Sequence, residues 1–103
     1  MADYILSVDG GGTKTEFCIS DMEGHIKDSV IVGCSNYKCE GVEAVRESFQ
    51  AGFELLEKKG IRRGDLRYSV WGISGCDSEH DFSLIRAVLE GLGIDGETSY
   101  LCN

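Results

Sequence analysis

Apolar residues recur along this chain with two different periods, and the change from one to the other divides it into elements. Tyr4, Ile5, Leu6 and Val8 form a short apolar run, and Phe17 and Ile19 alternate with polar neighbours within Thr15 to Ser20. A period of two sets one side of a strand against a core. Asp21-Met22-Glu23-Gly24 reads as a turn, after which His25 to Gly33 resumes with Ile26, Val30, Ile31 and Val32. Three strands in an antiparallel meander are the expectation.

The period then lengthens. Val42, Val45, Phe49, Phe53 and Leu56 fall at helical spacing, with Glu43, Glu47, Glu54, Lys58 and Lys59 between them, and Gly60 ends the pattern. This is an amphipathic helix whose apolar stripe covers one face of the sheet. Leu66 to Ile73 is the next strand, entered after Ile61-Arg62-Arg63-Gly64-Asp65 and closed by Ser74-Gly75. Asp77 and Ser78 offer helix caps, and Asp81, three residues after Ser78, completes a capping box. Phe82, Ile85, Leu89 and Leu92 make a second helical stripe, Gly93 ends it, and Thr98 to Cys102 begins a last strand. The order of three strands, helix, strand, helix, strand predicts an α/β domain.

Chemistry concentrates in Val8-Asp9-Gly10-Gly11-Gly12-Thr13-Lys14-Thr15, which joins the first two strands. Residues without a Cβ let backbone N–H groups approach an anion, and a run of such groups forms a concave positive site. Gly10, Gly11, Gly12, Thr13, Lys14 and Thr15 are the candidate phosphate ligands. Two commoner phosphate motifs do not fit. A Walker A loop requires a glycine where Thr13 stands and opens a helix, and a dinucleotide fingerprint requires a glycine where Thr15 stands, also at a helix start. Here a strand follows. A plain hairpin turn needs one or two glycines, and a third carries an entropic penalty that close approach of a ligand would explain. Asp9 beside a phosphate site makes electrostatic sense when a cation such as Mg²⁺ lies between them.

Asp9 to Thr15 resembles the first phosphate motif of the superfamily of actin, sugar kinases and heat-shock chaperone ATPases. Within it the chain is most similar to the N-acetylglucosamine kinases and the related BadF/BadG/BcrA/BcrD ATPases. The similarity runs along the chain through Gly33-Cys34-Ser35-Asn36, the long helix, and the strand ending in Gly72-Ile73-Ser74-Gly75. It implies a ribonuclease H-like fold, whose mixed sheet has an antiparallel meander of three strands on one edge and parallel strands joined by right-handed helical crossovers, with residues 1–103 as the N-terminal part of a first actin-like ATPase domain whose second domain is absent. It also implies ATP and Mg²⁺, with Asp9 as the metal-organising residue and a small sugar as acceptor. In the kinases it resembles, an asparagine at the place of Asn36 contacts sugar hydroxyls, a role its amide suits as donor and acceptor. A residue that merely tolerates a tight turn is the other reading of Asn36. Ser74 and Gly75 line the acceptor pocket by the same resemblance, at the carboxyl edge where open sheets bind ligands. Tyr37 either stacks on a sugar or packs.

Size and charge narrow the partners. The 103 residues suit one small domain, and a net charge of -8 argues against nucleic acid or anionic membrane as partners. The run from Lys58 to Arg67 reads as a solvated helix end. The first eight residues are too short and acidic for a secretion signal, and no apolar run reaches membrane-spanning length. A cytoplasmic protein is the expectation. Five cysteines without a CxxC pair read as reduced thiols, and their scatter argues against an iron–sulfur cluster. His25 and His80 fall at exposed turn and helix-start positions, and Trp71 reads as core. The oligomeric state, a homodimer included, is left open.

The leading functional reading is the phosphate-binding part of an ATP-dependent sugar kinase acting on an amino sugar such as N-acetylglucosamine. The resemblance puts the general base shortly after the strand beginning Ser99-Tyr100-Leu101-Cys102, so the expectation is that residues 1–103 alone have no useful turnover. A BadF-type ATPase module that activates a partner enzyme is the alternative, and a non-catalytic interaction domain is the third.

Overall fold

The computed structural model describes residues 3–103. Met1 and Ala2, which begin the stretch judged unfit for a secretion signal, lie outside the described residues. The elements are β1 (Tyr4–Gly10), β2 (Thr15–Ser20), β3 (Ile26–Val32), α1 (Tyr37–Glu40), α2 (Val42–Lys58), β4 (Leu66–Ile73), α3 (Glu79–Gly91) and β5 (Ser99–Cys102). They form one five-stranded sheet in the order β3-β2-β1-β4-β5. β1 pairs antiparallel with β2 and parallel with β4, β2 pairs antiparallel with β3, and β4 pairs parallel with β5. The meander is the one expected from the periodicity, and the mixed sheet is the one the resemblance implies.

Both helical crossovers run in the same direction across the sheet, from β3 over to β4 and from β4 to β5, so right-handedness puts α2 and α3 on the same face. The buried residues agree. Leu6, Val8, Phe17, Ile19, Trp71 and Ile73 from the sheet join Val45, Phe49, Phe53 and Leu56 of α2 and Ile85, Val88 and Leu89 of α3 in one core. The alternate positions look the other way. Ile31, Tyr68, Val70 and Tyr100 are exposed there.

Aromatic rings tie the helix to the sheet. Phe17 meets Phe53 and Trp71 edge-on, with ring centroids 5.5 and 5.6 Å apart. Trp71 donates its indole N–H to Ser69 Oγ at 2.9 Å, so its polar atom is satisfied in the core. α2 comes this close because Gly52 faces the Phe17 ring, and a Cβ there would lie 2.6 Å from Phe17 Cζ. Gly52→Ala is therefore expected to destabilise the chain by about 1–2 kcal/mol, despite the better helix propensity of Ala. A chemical denaturation curve with an unchanged midpoint would refute that reading of the interface.

The boundaries differ from the sequence expectation in several places, among them the last strand, which begins at Ser99 after a 3₁₀ turn over Gly96–Thr98. β3 begins at Ile26 because His25 belongs to the preceding turn, where its amide donates to Asp21 Oδ1. The entry to β4 contains a 3₁₀ turn at Arg63–Asp65, where the Arg62 amide donates to the Asp65 carboxylate. The four-residue helix α1 follows Asn36 and ends at Gly41, whose φ is +91°. One turn is too short to show a helical period. Among the described residues no helix is long and apolar enough to cross a membrane.

Candidate functional site

Three loops leave the carboxyl ends of β1, β3 and β4, and their backbones bond to one another. The Ser74 amide donates to Gly10 O at 2.9 Å, and the Ser35 amide donates to Gly11 O at 3.0 Å. The glycine turn is thus held between the loop carrying Ser35 and Asn36 and the loop carrying Ser74 and Gly75. Residues separated by more than 60 positions come to one sheet edge. That is the edge at which open sheets bind ligands.

The three glycines do different things, and none of Gly10, Gly11 and Gly12 has a positive φ. Gly10 is buried between strands, where a Cβ would lie 2.0 Å from Ser35 Oγ and 2.9 Å from Ile73 Cδ1. Close packing inside the chain therefore requires it. Gly11 closes the turn through its amide, which donates to Lys14 O at 2.9 Å. Gly12 is exposed, and a Cβ on it would meet no heavy atom within 4 Å. Among the described residues, the amides of Gly12 and Thr13 have no hydrogen-bond acceptor.

Thr13 and Lys14 are exposed at the tip, whereas Thr15 is fully buried. The Thr15 hydroxyl donates to Gly33 O at 2.7 Å, which ties β2 to the end of β3. That hydroxyl is already engaged, so Thr15 supports the turn from below. The geometry gives it no open donor for a phosphate.

Asp9 points to the other side of the sheet and is exposed, and its register partner across β1 and β2 is Glu16. The two carboxylates share a shallow hollow of about 280 Å³ with Gly11, Thr13 and Lys14. Directly opposed like charges destabilise a strand pair, and among the described residues neither has an ion-pair partner. A divalent cation suits such a donor set, since Mg²⁺ is held by one or two carboxylates together with phosphate oxygens. Glu16 was not among the sequence candidates. The signal was present, because a hairpin whose turn starts at Gly10 and ends at Thr15 sets residues 9 and 16 opposite each other.

Asn36 caps α1, with Oδ1 accepting from the Lys38 amide at 3.1 Å. Its side chain lies against Gly75, whose φ is +90° and where a Cβ would fall 2.5 Å from Asn36 Oδ1. The tight turn at Ser74-Gly75 is therefore shaped around Asn36. Close by, Asp81 completes the capping box of α3 with Ser78, as read from the sequence. Its carboxyl is held well below the usual carboxylate range, first by the Tyr37 hydroxyl and then by the Asp77 amide. Burial pushes the Cys76 thiol up.

No family model matches the chain. It is 30% identical over 95 residues to the N-acetylmuramic acid/N-acetylglucosamine kinase of Clostridium acetobutylicum, covering 91% of this chain and 31% of the kinase. A crystal structure from Chromobacterium violaceum, provisionally assigned as an N-acetylglucosamine kinase, superposes with a TM-score of 0.67 at 17% identity. That match covers 99% of this chain and 35% of the solved one. The chain thus spans about a third of the length of the proteins it matches. The resemblance to N-acetylglucosamine kinases first carried by the glycine turn is borne out, in sequence over nearly the whole chain and in fold over all but a residue or so of it.

Proposed function

We propose that this chain is the phosphate-binding part of an ATP-dependent sugar kinase that phosphorylates an amino sugar such as N-acetylglucosamine, built on a ribonuclease H-like, actin-type domain. One observation carries the reading. Gly12 has no internal reason to be glycine, since its φ is not positive and its surroundings are open, yet it and Thr13 are exposed and among the described residues neither amide has an acceptor. An anion approaching from outside accounts for both features. The names of the two matched proteins supply the acceptor class.

In this reading the Gly12 and Thr13 amides, the Thr13 hydroxyl and Lys14 bind the β- and γ-phosphates. Asp9 and Glu16 would hold Mg²⁺, which neutralises charge on the phosphate oxygens when bound. Gly10 and Thr15 keep the turn in place, and Asn36, with Ser74 and Gly75, forms the acceptor side. The γ-phosphoryl group passes from ATP to a sugar hydroxyl, whose proton is lost as ADP leaves. Phosphoryl transfer needs in-line positioning and charge neutralisation from both sides of a cleft. The activity is therefore assigned to the longer protein, and residues 1–103 alone are expected to give no turnover.

The test is ADP release by the longer protein in the presence of ATP, with and without N-acetylglucosamine. Release that depends on the sugar supports a kinase, whereas release indifferent to sugar supports an ATPase module. Gly12→Ala is the sharper probe. It should keep the fold, with stability unchanged or raised by up to about 1 kcal/mol, because a Cβ there meets nothing and restricts the unfolded chain. It should also raise KM for ATP about 10-fold by obstructing the phosphate. An unaltered KM would mean that no ligand approaches Gly12.

A further inference from the structure

We propose that Asp81 is a positioning residue for the acceptor side of the site: it clasps Tyr37 and Lys38 onto the first turn of α3 and so presents Asn36 as a hydrogen-bond donor. The sugar half of this proposal rests on the kinase reading above.

A capping box needs only local bonds, and Asp81 makes more than those. Its Oδ2 accepts from the Asp77 amide at 2.9 Å and the Ser78 amide at 3.1 Å, which completes the cap. Its Oδ1 turns away from α3 to accept from the Tyr37 hydroxyl, 44 residues earlier in the chain. Lys38 Nζ stands 3.2 Å from Asp81 Oδ2 and 3.3 Å from Asp77 Oδ2. Asp81 is only 4% exposed, so its charge is matched at close range by these donors. Two consecutive residues of α1 are thereby fixed to the first turn of α3, and Lys38 also to Asp77 in the loop before it.

The residue before them is Asn36. The Lys38 amide engages Asn36 Oδ1, which also settles which end of the side-chain amide is oxygen. Among the described residues Asn36 Nδ2 has no acceptor. Asn36 therefore offers a donor on the proposed acceptor side, and the sugar atom it meets must be a hydrogen-bond acceptor, such as a hydroxyl or acetamido carbonyl oxygen. If the clasp opens, Asn36 loses its fixed orientation against Gly75.

Tyr37→Phe in the longer protein tests this, because it removes the Tyr37–Asp81 bond and leaves the α3 cap intact. Amide hydrogen exchange at residues 37–41 should accelerate about 10-fold, and KM for the sugar should rise about 10-fold. kcat and KM for ATP should stay within about 2-fold. Ser78→Ala is the control, expected to lower stability by about 1 kcal/mol with no change in KM for the sugar. Unchanged exchange in Tyr37→Phe overturns the clasp itself. Faster exchange with an unchanged sugar KM in an active kinase overturns its role in presenting Asn36. Absence of sugar-dependent turnover in the unsubstituted protein overturns the kinase reading and the sugar half with it, while the exchange result still decides the clasp.

Discussion

Asp9→Asn in the longer protein is expected to lower sugar-dependent ADP release by about 100-fold or more, while the chain stays as stable as before or becomes slightly more so. The two halves of this expectation have one cause. Asp9 and Glu16 face each other across β1 and β2, exposed and without ion-pair partners among the described residues. In a chain of net charge -8, two opposed carboxylates weaken the sheet unless a cation joins them. Neutralising one relieves that repulsion and removes a ligand from the proposed Mg²⁺ site. A coupled assay across Mg²⁺ concentrations, read beside a thermal melt, checks both. Near-normal rates would remove Asp9 from the metal site, and a markedly lower Tm would make it a structural residue instead.

Gly10→Ala should be among the most damaging small changes to the fold, at about 2–3 kcal/mol, or roughly 10–20 °C in Tm. The added methyl would sit 2.0 Å from Ser35 Oγ and 2.9 Å from Ile73 Cδ1, both in buried residues. Neither side can yield easily. Gly10 O accepts from the Ser74 amide and Gly11 O from the Ser35 amide, so moving the turn disturbs both neighbouring loops. Ser35 Oγ is itself buried with no hydrogen-bond partner, and Ser35→Ala removes the closest clash without exposing a new polar group. The double variant should recover about half of the lost stability. A melt of Gly10→Ala that coincides with wild type, or no recovery in the double variant, would show that the loops are less tightly packed than the geometry implies.

These two positions stand next to each other in the glycine motif, yet their roles come from different levels of structure. Asp9 could be singled out on electrostatic grounds before any fold was known. The partner Glu16 was also within reach, since strand alternation and the hairpin register together imply it. Gly10 is different. Within the motif it looked like one of three equivalent phosphate-binding glycines, and only the approach of Ser35, 25 residues later, shows that it serves internal packing. Thr15 moved from ligand to support in the same way, through its bond to Gly33 O. The short helix α1 had no readable period, and its cap is visible only with Asn36 in place.

Read alone, the order of residues was enough for the strand and long-helix pattern, the three-strand meander, the buried stripe of α2 and the capping box of α3. Each of those follows from local periodicity or from interactions a few residues apart, which a linear string preserves. What three dimensions decided is how loops far apart in the chain meet at one sheet edge. There Ser35 packs on Gly10, Asn36 packs on Gly75, and the spare carboxylate oxygen of Asp81 holds Tyr37. Such contacts depend on crossover handedness and close packing between elements, and no spacing in the sequence encodes them.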